Sequence, residues 1–125
     1  MVPIRSLASA AAAVFLVSAC ASMSNPPVKM ADGVLVNDAG MTLYTFDKDT
    51  AGSGKSACNG PCLALWPAVP ATAASYSAPY SVVTRDDGTK QLARNGKPLY
   101  LYAQDTSPGE RKGDKVKDVW HVVTD

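Results

Sequence analysis

Leu43–Trp66 reads LYTFDKDTAGSGKSACNGPCLALW, and Leu99–Trp120 reads LYLYAQDTSPGERKGDKVKDVW. Each stretch lies three residues after a turn glycine, Gly40 or Gly96. Each continues as Leu-Tyr-x-aromatic-x-x-Asp-Thr, then a glycine-containing loop, then a tryptophan. Tyr44, Phe46, Asp49 and Thr50 therefore align with Tyr100, Tyr102, Asp105 and Thr106. From glycine to tryptophan is 26 positions in the first copy (66 less 40) and 24 in the second (120 less 96), so only the loop length differs. Self-similarity of this kind marks one supersecondary unit used twice.

Outward from the two copies, the pattern is that of short strands and tight turns. Val34–Val36, a turn over Asn37–Gly40 and Thr42–Phe46 form a hairpin signature. Tyr80–Thr84, Asp86-Asp87-Gly88, Lys90–Arg94, Asn95-Gly96 and Pro98–Tyr102 repeat it, with Asp-Gly and Asn-Gly supplying the positive φ of tight hairpins. Val119–Val123 is a last strand. Side-chain alternation puts Tyr44 and Phe46 on one face, with Leu43 and Thr45 on the other. Pro61 opens about one helical turn before Pro67, bringing Cys62, Leu65 and Trp66 over the sheet. No longer segment has a helical hydrophobic period. The expected fold is mainly β: a small antiparallel domain of two related hairpin repeats with pseudo-two-fold symmetry and at most short helical turns. It covers residues 33–123, with repeat one at 33–69 and repeat two at 89–123.

The N-terminus reads differently. Met1–Arg5 carries one positive charge, and Leu7–Val17 is an apolar run of 11 residues. That suits a signal-peptide core and is too short for a bilayer-spanning helix of about 20 residues. Val17-Ser18-Ala19-Cys20 looks like a bacterial lipobox, so residues 1–19 are expected to be a lipoprotein signal and Cys20 the lipidated first residue. Residues 20–32, small, polar and proline-containing, read as a flexible tether. Ala21, not Asp, follows the cysteine, and resemblance to proteobacterial lipoproteins then implies the outer membrane, facing the periplasm or the exterior. Removing residues 1–19 takes Arg5 with it and leaves 11 basic residues (12 less one) against 11 acidic. A neutral chain gives no electrostatic case for nucleic acid. The membrane is engaged through the lipid.

At these residues the chain resembles a family of small bacterial secreted lipoproteins built from tandem repeats. The family is described by a Tyr-x4-Asp core with an aromatic two residues after the tyrosine. Here the cores are Tyr44-Thr-Phe46-Asp-Lys-Asp49 and Tyr100-Leu-Tyr102-Ala-Gln-Asp105. Cys-Asn-Gly-Pro-Cys followed by Trp66-Pro67 is also typical. The resemblance covers about residues 33–123 and implies a secreted, lipid-anchored domain with no assigned activity.

Four constellations bear on chemistry. Cys58 and Cys62 form an even pair once Cys20 is lipidated, and a structural disulfide is the expected state in an oxidising compartment. So small a ring contributes only about 2 kcal/mol. The alternatives are a redox pair, or copper ligands together with His121. His121, the only histidine, lies opposite Trp120 in the strand alternation and reads as half-exposed. Asp49 and Asp105 are expected to bind loop amides, with Thr50 and Thr106 assisting; the alternative is a carboxylate pair for acid–base work. Tyr44, Phe46, Tyr100, Tyr102, Trp66 and Trp120 are expected core aromatics, or else a platform for stacking a ligand. The resulting expectation is a non-enzymatic binding or scaffolding module without a cofactor, whose partner is an envelope protein, a glycan or a small ligand. The alternative is a metal- or thiol-handling protein using Cys58 and Cys62.

Overall fold

A computed structural model describes residues 24–124; the expected signal segment, residues 1–19, and the expected lipidation site Cys20 lie outside the described residues. The strands are β1 (Val28–Ala31), β2 (Val34–Asn37), β3 (Tyr44–Phe46), β4 (Tyr80–Thr84), β5 (Lys90–Arg94), β6 (Lys97–Pro98) and β7 (Trp120–Val122). One helical turn, α1 (Pro61–Leu65), and a 3-10 turn at Val116–Asp118 complete the elements. The named strands pair antiparallel in three small sheets, β1-β2, β3-β7 and β4-β5-β6.

The sheets are joined at a pseudo-two-fold axis between Tyr44 and Tyr100. The Tyr44 N–H donates to the Tyr100 carbonyl at 2.8 Å, and the Tyr100 N–H returns the bond at 2.9 Å. Around this centre the backbone bonds come in matched pairs. Leu43 N–H to Leu35 O (3.0 Å) corresponds to Leu99 N–H to Leu92 O (2.9 Å). Leu35 N–H to Val123 O corresponds to Leu92 N–H to Val69 O, both at 2.8 Å. Asp47 N–H to Val119 O corresponds to Ala103 N–H to Leu65 O, again both at 2.8 Å. The segment around each tryptophan thus pairs with the tyrosine strand of the other copy. The two repeats exchange their ends.

Each Leu-Tyr step crosses between two cores, because adjacent strand side chains point to opposite faces. Leu43 and Leu99 enter an aliphatic core with Leu35, Leu92, Val69 and Val123. Tyr44 and Tyr100 enter an aromatic core with Phe46, Trp66, Trp120 and Cys58. The 67–79 connector contributes more than its composition suggested. Val69 and Tyr76 are buried in the aliphatic core, and the Tyr76 hydroxyl accepts the Thr72 and Ala73 amides at 2.9 and 3.1 Å.

The tether expected over residues 20–32 is corrected at its C-terminal end. Val28–Ala31 forms β1, and Asp32 and Gly33 sit at φ 50° and 84°, the left-handed pair of a two-residue hairpin. Four residues with two lysine-and-methionine positions exposed give no readable alternation, so β1 was hidden in the composition. Its counterpart is β4. The α1 expectation is met in position, but Leu65 is exposed rather than turned over the sheet.

Candidate functional site

The Tyr-x4-Asp motif does not close within its own repeat. The Tyr44 hydroxyl donates to Asp105 Oδ2 at 2.5 Å, and the Tyr100 hydroxyl donates to Asp49 Oδ2 at 2.7 Å. The exchange of ends puts each phenol against the aspartate of the other copy. The second oxygen of each carboxylate then receives a loop amide: Ala57 N–H at 2.6 Å on Asp49 Oδ1, and Lys112 N–H at 2.9 Å on Asp105 Oδ1. Each phenol also accepts a bond, Tyr44 from the Gly113 amide at 3.2 Å and Tyr100 at 2.5 Å from the Ser56 hydroxyl. Both carboxylates bind loop amides as the sequence indicated. Thr106 does not assist; its hydroxyl bonds Glu110 instead.

Burial pushes the Asp49 carboxyl above its ordinary value of 3.8, against the lowering effect of the Ala57 amide and the Tyr100 hydroxyl. Burial likewise drives both phenols well above 10.0, reinforced at Tyr44 by the Asp105 hydrogen bond and at Tyr100 by Asp49. The sign for stability follows directly. Above pH 10 the unfolded chain releases two protons that the native chain keeps, so stability declines as pH rises through and beyond that value. Each tyrosine adds about 1.4 kcal/mol per pH unit to the slope. Urea unfolding between pH 9 and 11 is expected to show this loss, and Tyr44→Phe and Tyr100→Phe to reduce it. A slope unchanged by either variant contradicts the assignment.

Four rings lie in one stack. Phe46 packs on Trp120 (4.2 Å, 11°), Trp120 on Trp66 (3.7 Å, 2°), and Trp66 on Tyr102 (4.2 Å, 27°). Tyr44 meets Trp66 edge-on at 5.4 Å, and Tyr100 meets Trp120 at 5.1 Å. Along the stack the rings alternate between copies, whereas each edge-on pair lies within one copy. Gly113 has no room for a side chain: an added Cβ would lie 2.7 Å from Trp66 Cη2 and 3.0 Å from Tyr44 Cε1.

Beside the stack runs an open groove of about 340 Å³, lined by Phe46, Trp66, Trp120, Leu65, Cys62 and Val119 among others. Among the described residues, Lys48 and Lys117 are its only charged lining residues. Its rim is bent: Lys115, Lys117 and Asp118 all hold left-handed backbone, at φ 68°, 53° and 60°. Sequence reading placed the aromatics and set Leu65 on the turn beside Trp66, but missed the lysines: Lys48 fills a variable position of the motif, where the second copy has Gln104, and Lys117 lies in the loop before Trp120.

Cys58 and Cys62 are joined in a disulfide. The copper alternative requires free thiolates, which this pairing removes. Among the described residues no group of three His, Cys, Asp or Glu is placed to hold a metal ion. His121 is 40% exposed at its side chain, and its Nε2 lies 2.8 Å from Asp47 Oδ2.

A family model described as a secreted repeat of unknown function matches residues 27–70 and 81–124. The chain belongs to this secreted-repeat family. The matched units begin earlier than the expected 33 and 89, because β1 and β4 belong to the repeats. No curated protein and no solved structure matches the chain. Membership of the secreted-repeat family places the protein in the cell envelope or outside the cell. No helix among the described residues is long and apolar enough to cross a membrane.

Proposed function

We propose that this secreted-repeat protein is a lipid-anchored, non-enzymatic binding module of the cell envelope, and that it takes a small apolar anion in the groove beside Trp66 and Trp120. The observation that carries the reading is the groove itself: aromatic and aliphatic walls, with two lysines and no acid among the described residues that line it. Concave, largely apolar sites with a few placed charges are the usual form of small-ligand sites. The left-handed residues of the rim support it further, since such backbone costs about 1–2 kcal/mol per residue and concentrates at ligand clamps. The non-enzymatic reading rests on the motif's polar groups: each phenol and each carboxylate is already committed to a partner. The anchor is Cys20, with the outer membrane as its site.

The test uses 1-anilinonaphthalene-8-sulfonate, a planar apolar anion, titrated into the folded protein while tryptophan emission is followed. Saturable one-to-one binding at roughly 1–100 µM is expected. Reversing both charges, Lys48→Glu with Lys117→Glu, is expected to weaken it at least about tenfold. Non-saturating binding, or binding indifferent to the charge reversal, rules the groove out. Separately, Cys20→Ala is expected to move the chain from the membrane pellet to the soluble fraction.

A further inference from the structure

We propose that the Cys58–Cys62 disulfide is a thiol–disulfide exchange site, polarised so that a dithiol donor attacks Cys62 and Cys58 is the leaving sulfur. This stands apart from the groove's ligand, since it requires only that the groove be open to solvent.

The first support is the internal symmetry. Ala57 and Lys112 are equivalent, as the amides that bind Asp49 and Asp105. The residues that follow them, Cys58 and Gly113, are both buried among the core aromatics. The second copy therefore closes the same aspartate-bound loop with no cross-link. The repeat's geometry does not require the disulfide.

Second, the two cysteines are unequally accessible. Cys58 is 0% exposed, whereas Cys62 is half-buried and lines the open groove. An incoming thiolate thus reaches Cys62. Third, a buried cation is held against the backbone carbonyl of Cys58. Arg85, only 4% exposed, donates to the Cys58 carbonyl at 2.5 Å, to Asn59 Oδ1 at 2.9 Å and to Gln91 Oε1 at 2.6 Å. Its Nε is buried with no hydrogen-bond partner. None of these acceptors is an anion. Asp49 is close enough to feel the guanidinium, but its oxygens are committed to Tyr100 and Ala57. A positive charge beside a cysteine favours its thiolate, and a sulfur that is stable as thiolate leaves faster.

The exchange balances as follows. A donor thiolate forms a bond to Cys62 Sγ, the Cys62–Cys58 bond breaks, and its electron pair stays on Cys58 as thiolate. The donor's second thiolate then attacks its own sulfur in the mixed disulfide and releases Cys62 as thiolate. The donor is oxidised by two electrons to a disulfide, the protein pair is reduced by two, and water supplies protons as the thiolates require.

The experiment uses the full chain exported and oxidised, in a Cys20→Ala background so that only the pair reports. Reduction by dithiothreitol is expected to run at least about tenfold faster than for oxidised glutathione, without denaturant. Trapping with reduced glutathione followed by peptide mass mapping is expected to place the adduct on Cys62 alone. Arg85→Gln is expected to slow reduction about tenfold and Arg85→Lys to restore the rate, with circular dichroism verifying the fold. Reduction that requires urea, or an adduct on Cys58, overturns the proposal. A folded Arg85→Gln chain that exchanges at the unmutated rate overturns the leaving-group assignment. Should that variant not fold, the position of the adduct on the unmutated pair still decides the polarity.

Discussion

Alanine at Trp66 or at Trp120 is expected to destabilise the protein by about 3–5 kcal/mol, and by similar amounts at the two positions. Both rings are 3% exposed, so each truncation removes nearly a whole buried indole and leaves a cavity between two flat neighbours. Trp66 lies between Trp120 and Tyr102, and Trp120 between Phe46 and Trp66. The matched environments are why the costs match despite positions 54 residues apart (120 less 66). The double variant is expected to cost less than the sum, because the indole–indole contact at 3.7 Å is lost in either single variant. Contacting residues couple by about 0.5–3 kcal/mol. Urea unfolding of the four proteins measures this cycle. Strict additivity, or a large cost at only one tryptophan, would show that the stack does not bind the two copies together.

Gly96→Ala is expected to cost about 3 kcal/mol, combining left-handed backbone with overpacking. Gly96 has φ 80°, and a Cβ there would lie 2.5 Å from the Gly52 nitrogen and 3.1 Å from its Cα. The same contact includes a hydrogen bond, from the Gly52 amide to the Gly96 carbonyl at 2.9 Å. The loop after the first aspartate is therefore docked on the turn of the second copy. The reciprocal contact places Gly109 N–H on the Gly40 carbonyl at 3.2 Å, with Pro108 against Gly40. Gly88→Ala is the control: φ is 88° but the space around it is open, so about 1 kcal/mol is expected. Thermal or urea unfolding separates the two. Equal costs at Gly88 and Gly96 would mean that backbone conformation alone is felt and that the loop yields.

Much of this was legible one repeat at a time. Gly40 and Gly96, the tyrosine strands, the Asn95-Gly96 turn and the helical turn between Pro61 and Pro67 are local features, set by backbone sterics and by alternation over a few residues. The amide-binding aspartates were legible for the same reason, since Asp49 reaches only eight residues ahead and Asp105 seven. β1 escaped because four residues with no alternation look like linker, although Asp32-Gly33 marked the turn beside it. Arg85 escaped because a single arginine near a turn normally faces solvent, and its burial depends on acceptors drawn from two other places in the chain, Cys58-Asn59 and Gln91.

By itself, the sequence determined that there are two copies of one β unit, where their turns fall, which aromatics and aspartates recur, and that Cys58 and Cys62 lie within bonding reach. Only the tertiary structure decided which copy supplies each partner. Local propensity is indifferent to whether Tyr44 meets Asp49 or Asp105, because both arrangements satisfy the same groups. The choice falls to the backbone bonds at the Tyr44–Tyr100 axis and to the ring stack across it, which bring the second copy's aspartate to the first copy's phenol.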